Sequence, residues 1–133
     1  MIVDGSTTRQ LLVYLVDDEP QVAFSLSEIL RHSGCQVKSF LSGSDLIAYA
    51  ADSDPDVVVT DYVMQPIDGL KLAAWVRRTY PKARIIVITA DEHLIRRAAG
   101  DNLAFQVLEK PLNSTGLIAA VHGISSDEAQ HCA

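Results

Sequence analysis

Three carboxylates, one hydroxyl and one ammonium in this chain each stand where a short apolar run ends. Leu11–Val16 runs into Asp17, Asp18 and Glu19, and Val57–Val59 runs through Thr60 into Asp61. Ile85–Ile88 runs into Thr89, and Phe105–Glu109 runs into Lys110 and Pro111. Adjacent carboxylates such as Asp17 and Asp18 repel unless a cation lies between them, and hard oxygen donors of this kind suit Mg²⁺. The same pair also reads as a turn with acidic groups ahead of a helix, where negative charge is favoured. Asp61 ends a run of valines, and a charge there is costly unless it is paired or bound. A carboxylate can also attack phosphorus to give an aspartyl phosphate. Thr89 is a donor for a phosphoryl oxygen, and Lys110 is a partner for Asp61 or for that phosphoryl group. Each residue alone fits a solvated strand end or ordinary strand composition. Their joint occurrence at four strand ends argues for a crevice that holds a divalent cation and a phosphoryl group against a carboxylate.

The intervening sequence predicts the scaffold for such a crevice. Leu11–Val16, Val57–Thr60, Arg84–Thr89 and Ala104–Leu108 read as strands, the first two apolar on both faces. Gln36–Phe40 alternates weakly and reads as an edge strand. A helix begins at Pro20, carries Val22, Leu26, Ile29 and Leu30, and stops at Gly34. Further helices are expected over Ser42–Ala51 (with Leu46, Ile47 and Ala50), over residues 70–80 before Pro81, and over Glu92–Ala99 before Gly100. Ser114 is expected to cap the last one, which bears Leu117, Ile118 and Val121. Strand and helix alternate five times, implying a parallel sheet with helices on both faces. Ligands of such sheets sit beyond the carboxyl ends of the strands, where the polar stops lie. Residues 1–10 read as a lead-in, 11–123 as one domain and 124–133 as a tail.

Bulk properties exclude several functions. The 133 residues fit one domain, 48% hydrophobic and 21% charged. A net charge of −6 argues against a nucleic-acid surface. Arg77-Arg78 and Arg96-Arg97 read as solvated helix faces. No apolar stretch approaches the roughly 20 residues that span a bilayer, and residues 1–10 do not resemble a secretion signal. The two cysteines, Cys35 and Cys132, make no disulfide framework and fit a reducing cytoplasm. Cys35 reads as a small core residue. His32, His93, His122 and His131 show no metal spacing. Trp75 reads as core or half-core, and Tyr62 as an exposed loop aromatic.

Taken together, Leu15-Val16-Asp17-Asp18-Glu19, Thr60-Asp61-Tyr62-Val63-Met64 with Asp68-Gly69, Val87-Ile88-Thr89-Ala90 and Glu109-Lys110-Pro111 resemble the receiver domain of a two-component response regulator. The likeness covers roughly residues 11–123. It implies a flavodoxin-like, doubly wound (βα)5 sandwich with strand order 2-1-3-4-5. It implies that Asp61 accepts phosphoryl from the phosphohistidine of a sensor histidine kinase or a histidine phosphotransfer protein. Mg²⁺ would be held by Asp18, Asp61 and the backbone carbonyl of Val63, with Asp17 acting through water. Thr89 and Lys110 would read the phosphoryl group and move the face of the fourth helix, fifth strand and fifth helix. That face would bind an output domain or protein, or a second copy of the chain.

Several positions depart from the family's usual pattern. Gln65 stands where Pro usually follows the Met, and Pro66 comes next. Val107 stands where an aromatic switch residue is usual, with Phe105 two residues earlier. Leu112 replaces a common Phe, and Gly100 arrives early. Val63 and Asp91 occupy two positions that tune phosphoryl lifetime. Val63 also argues against an aspartate-nucleophile phosphohydrolase, which carries a second Asp there. A phosphorylation-independent interaction module is the other alternative, favoured by the missing aromatic and opposed by the complete set of polar stops.

Overall fold

The computed structural model describes residues 10–49, 53–100 and 104–123. The expectations for the lead-in, the tail, Ala50, His131 and Cys132 lie outside the described residues. Five strands pair in parallel: β1 (Leu12–Val16), β2 (Gln36–Phe40), β3 (Val57–Asp61), β4 (Arg84–Thr89) and β5 (Gln106–Glu109). The sheet order is β2-β1-β3-β4-β5. Helices α1 (Pro20–His32), α2 (Gly43–Tyr49), α3 (Gly69–Thr79), α4 (Glu92–Ala99) and α5 (Ser114–His122) connect or follow them. The expected flavodoxin-like fold is therefore the observed one.

Alternation along the strands divides the core between the two sheet faces, because successive strand side chains point to opposite sides. Tyr14, Val16, Val58 and Val87 join Leu46, Leu72, Val76 and Ile95 from α2, α3 and α4. Val13, Leu15, Val57, Val59, Ile86 and Ile88 join Leu26 and Leu30 from α1 and Leu117 and Val121 from α5. Fully burying one such aliphatic side chain contributes roughly 1.5–3 kcal/mol. The three central strands, covered on both faces, thus form the least deformable part of the domain and the part that carries Asp61.

Helix ends follow side-chain chemistry. Pro20 opens α1, and Gly34 takes the left-handed conformation (φ +99°) after it. Ser42 Oγ accepts the Asp45 N–H (3.0 Å), so Ser42 caps α2 from outside and does not begin it. Asp68 caps α3 by accepting from the Lys71 N–H (2.9 Å). The cap of α5 is Asn113, whose Oδ1 accepts the Gly116 N–H (2.6 Å), and Ser114 is already helical. Ser114 had been expected to cap, but the chain turns into the helix one residue earlier. The last strand is also displaced from its expected Ala104–Leu108. Pairing of Ile86–Thr89 with Gln106–Glu109 sets its limits, whereas apolarity had marked Ala104 and Phe105.

Tyr62 corrects another expectation: it is half-buried against the α3 side of the core. Trp75 is half-buried there too, edge-on to Tyr80 at 5.7 Å. Both arginine pairs are exposed. Arg77 Nη1 donates to the Ala104 carbonyl (3.2 Å), and Arg96 pairs with Glu92. Among the described residues no helix is long and apolar enough to cross a membrane.

Candidate functional site

The sheet register brings the polar strand ends together. Val16 pairs with Thr60 and Thr60 with Val87, so the ends of β1, β3 and β4 lie abreast. Asp17 follows Val16, Asp61 follows Thr60, and Thr89 pairs with Glu109, the residue before Lys110. Tyr62 continues the ladder by donating its N–H to the Ile88 carbonyl (2.8 Å), and Lys110 does so with the Thr89 carbonyl (2.7 Å). Backbone hydrogen bonds therefore hold Lys110, and the residue directly after Asp61, where strand becomes loop.

Carboxylate oxygens of Asp17, Asp18 and Asp61 all lie within 4.8 Å of one another. Asp17 and Asp61 are buried and Asp18 is exposed. Lys110 Nζ lies 3.2 Å from Asp61 Oδ1. Three carboxylates thus face one ammonium, which leaves negative charge uncompensated in a partly dry crevice. Burial pushes the Asp17 carboxyl above its ordinary range. The Glu19 N–H, donated to Asp17 Oδ1 (2.9 Å), opposes that shift, the charge of Asp61 adds to it, Lys110 opposes it and Asp18 adds to it. The cluster suits a small hard cation: its donors are all oxygens, and it is open to solvent at Asp18, so waters can complete an octahedron.

Gly69 permits this packing. It is buried at the start of α3 and donates its N–H to the Tyr62 carbonyl (2.8 Å). A Cβ there would lie 2.9 Å from Tyr62 Cα and 3.2 Å from the Asp61 carbonyl carbon, and closer still to the Asp61 carbonyl oxygen. Thr60 Oγ1 donates to that same carbonyl oxygen (3.0 Å). The loop from Tyr62 to Asp68 is thereby folded back on the end of β3. Val63 lies in it, two residues beyond Asp61, with a 67% exposed side chain.

Thr89 is buried, and its hydroxyl is engaged with the chain two residues on. Oγ1 donates to the Asp91 carbonyl (3.2 Å) and accepts the Asp91 N–H (3.1 Å). Val107 is half-buried in the core cluster that includes Val87 and Ile95. Asp91 does not extend freely into the crevice: its Oδ1 accepts the His93 N–H (2.9 Å) and caps α4.

The histidines gather no metal cluster among the described residues, where the three aspartates form the sole such group. His122 nevertheless has a role that its spacing did not signal. Its Nε2 lies 3.0 Å from Ser33 Oγ and 3.6 Å from Cys35 Sγ. Ser33 Oγ donates to the Leu30 carbonyl (2.8 Å), so it accepts from the His122 ring. This contact ties the end of α5 to the turn between α1 and β2. Arg84 was also not singled out by the sequence. Its guanidinium donates to the carbonyls of Ala120 (2.8 Å) and Val121, satisfying the last turn of α5.

Comparison with known proteins places this geometry in context. A family model described as the response regulator receiver domain matches residues 13–122. The chain is 30% identical over 111 residues to the DNA-binding transcriptional regulator NtrC of Salmonella typhimurium, covering 83% of this chain and 24% of that protein. It is 25% identical over 114 residues to the protein PilG of Pseudomonas aeruginosa, covering 84% of each. The chain therefore spans about a quarter of the length of the NtrC relative and most of PilG. Among solved structures, the response regulator protein TrrA of Thermotoga maritima, in complex with Mg²⁺–BeF, superposes with a TM-score of 0.75. Its identity is 27%, over 86% of this chain and 98% of that one.

Proposed function

The chain belongs to the response regulator receiver domain family, and from that membership we propose that it is a phosphoacceptor switch whose acceptor is Asp61. The single observation that carries this reading is the convergence of Asp17, Asp18 and Asp61 within 4.8 Å, with Lys110 Nζ 3.2 Å from Asp61 Oδ1. The donor is the phosphohistidine of a sensor histidine kinase or of a histidine phosphotransfer protein.

In the transfer, an Asp61 carboxylate oxygen forms the new P–O bond. The P–N bond to the donor imidazole breaks, and its electron pair stays on that nitrogen. Little covalent chemistry is asked of the protein, so positioning and charge do most of the work. Asp61 is held by the β3 ladder, by the Thr60 hydroxyl donated to its carbonyl, and by the Gly69 N–H donated to the carbonyl of the next residue, Tyr62. Lys110 leaves the Asp61 carboxylate for the arriving phosphoryl group, and Thr89 turns its hydroxyl to a phosphoryl oxygen. Asp17, Asp18, Asp61 and the Val63 carbonyl would hold Mg²⁺, which when bound offsets the charge of carboxylates and phosphoryl oxygens. The product, carrying new charge at the end of β3, biases the neighbouring α4, β5 and α5 toward an output partner or a second copy of the chain.

The exposed, apolar Val63 supplies no second acid for turnover of phosphoesters, so the chain acts as an acceptor and not as a phosphohydrolase. A phosphorylation-independent module would have no use for three uncompensated carboxylates around one lysine. Fluorine NMR with beryllofluoride tests the reading. A bound resonance that needs Mg²⁺ and vanishes in Asp61→Asn is expected. A bound resonance that persists in Asp61→Asn overturns it.

A further inference from the structure

Three donor atoms of different chemistry meet at the amino ends of the strands, away from the aspartates. Cys35 stands directly before β2, Ser33 directly after α1, and His122 ends α5. Ser33 Oγ lies 3.0 Å from His122 Nε2, Cys35 Sγ lies 3.6 Å from the same nitrogen, and the oxygen lies 3.7 Å from the sulfur. A triangle with these sides has its centre about 2.0 Å from every corner. Zinc binds imidazole nitrogen at about 2.0–2.1 Å and thiolate sulfur at about 2.3 Å. An ion just above the plane of the triangle therefore reaches all three donors without moving them.

The surroundings suit an ion as well. Cys35 is buried, whereas Ser33 and His122 are half-buried, so one side of the triangle is open for a water as fourth ligand. Helices α1 and α5 both point their carboxyl ends here, and the negative end of a helix favours a cation. Arg84 already draws on that preference at the Ala120 carbonyl. The hydrogen bond between Ser33 and His122 would tie α5 to the turn by itself. The thiol beside the same nitrogen is what such a tether does not need.

We propose that Cys35, His122 and Ser33 form a site for a thiophilic divalent cation of the Zn²⁺ class, which clamps the end of α5 to the turn before β2. On binding, the Cys35 S–H bond breaks, its proton leaves to water, and the thiolate takes the ion. The His122 ring hydrogen passes from Nε2 to Nδ1, which frees the Nε2 lone pair. Ser33 stays a neutral alcohol: its hydrogen remains donated to the Leu30 carbonyl (2.8 Å) and its oxygen faces the ion. Thiolate and imidazole select zinc-like ions, whereas carboxylates and water select Mg²⁺, so the two sites sort ions by chemistry. The inference does not depend on the phosphoacceptor reading.

Titration with cadmium chloride, followed by sulfur-to-cadmium charge-transfer absorption, tests this. Cys132 and His131 are further soft donors in the sequence, so the full-length reference chain carries His131→Ala and Cys132→Ala. One Cd²⁺ per chain is expected, displaced by Zn²⁺ and not by excess Mg²⁺. Adding Cys35→Ala should abolish the band. Adding His122→Gln, which can still donate to Ser33, should weaken binding by at least about tenfold. Adding Asp61→Asn should leave binding unchanged. Circular dichroism checks that each variant is folded. Absence of the band in the reference chain overturns the proposal. So does a folded His122→Gln variant that binds Cd²⁺ as tightly as the reference, which would leave a buried thiol and nothing more.

Discussion

Replacing Gly69 by alanine tests whether the end of β3 is packed as tightly as the site requires. The added Cβ would stand 2.9 Å from Tyr62 Cα and 3.2 Å from the Asp61 carbonyl carbon. These are backbone atoms, so no side chain can rotate away. Overpacking of this kind costs about 1–3 kcal/mol. Alanine's advantage over glycine in a helix is at most about 1 kcal/mol, so the net effect is destabilising. With a urea slope of about 1–3 kcal/mol per M, the unfolding midpoint should fall by roughly 1 M. The same push displaces the residue that carries the acceptor, so beryllofluoride affinity should fall with it. Gly43→Ala is the matched control. There a Cβ would meet Ile67 and Leu72 at 3.5 Å, an ordinary contact, and the midpoint should hold or rise. Urea unfolding followed by circular dichroism, with a beryllofluoride titration on each variant, reads both effects. A Gly69→Ala midpoint at or above wild type, with unchanged beryllofluoride affinity, would refute the reasoning.

Asp17→Asn keeps an acceptor for the Glu19 N–H but removes one charge from the cluster. It should raise the thermal midpoint without Mg²⁺ and abolish the further rise that Mg²⁺ gives wild type; a midpoint still raised by Mg²⁺ would contradict the metal assignment. Burial, with smaller contributions from Tyr80, Tyr49 and Asp54, pushes the Tyr14 hydroxyl from 10.0 up to about 12. The folded state then holds the proton more tightly than the unfolded one. Its stabilisation is complete below pH 10 and is lost as pH rises toward 12. Alkaline unfolding in that window should weaken in Tyr14→Phe, and phenolate absorbance should appear together with loss of ellipticity. The Cys35 thiol is buried and pushed up by that burial, with Ser33 opposing. Alkylation mapped by mass spectrometry should leave Cys35 unmodified until denaturant is added.

The legibility of the sequence varied with the range of the forces involved. The bounds of β2, β4 and α4 were readable because apolar runs, Gly34, Pro81 and Gly100 punctuate them locally. The candidate site was readable because its residues sit at strand ends, and a parallel sheet must align those ends. The end of β5 was not readable, since its register is set by β4 and not by its own composition. The α5 cap was placed one residue late because Asn113 and Ser114 are both good capping residues. The contact of His122 with Ser33 and Cys35 spans 87 to 89 positions and leaves no local signal. Asp91 was recognisable as a position of interest. Its commitment to the cap of α4 was not, because that depends on which way a carboxylate turns. The burial of Tyr62 followed from the loop folding back through Gly69, a tertiary effect.

The central claim is that Asp61 receives a phosphoryl group from a P–N donor. Phosphoramidate carries such a bond, and peptide mass mapping after its reaction with the chain locates the adduct. The account predicts a single phosphoryl adduct, on Asp61, formed only with Mg²⁺ and lost in Asp61→Asn. An adduct on another residue, or one formed equally in Asp61→Asn, would contradict it.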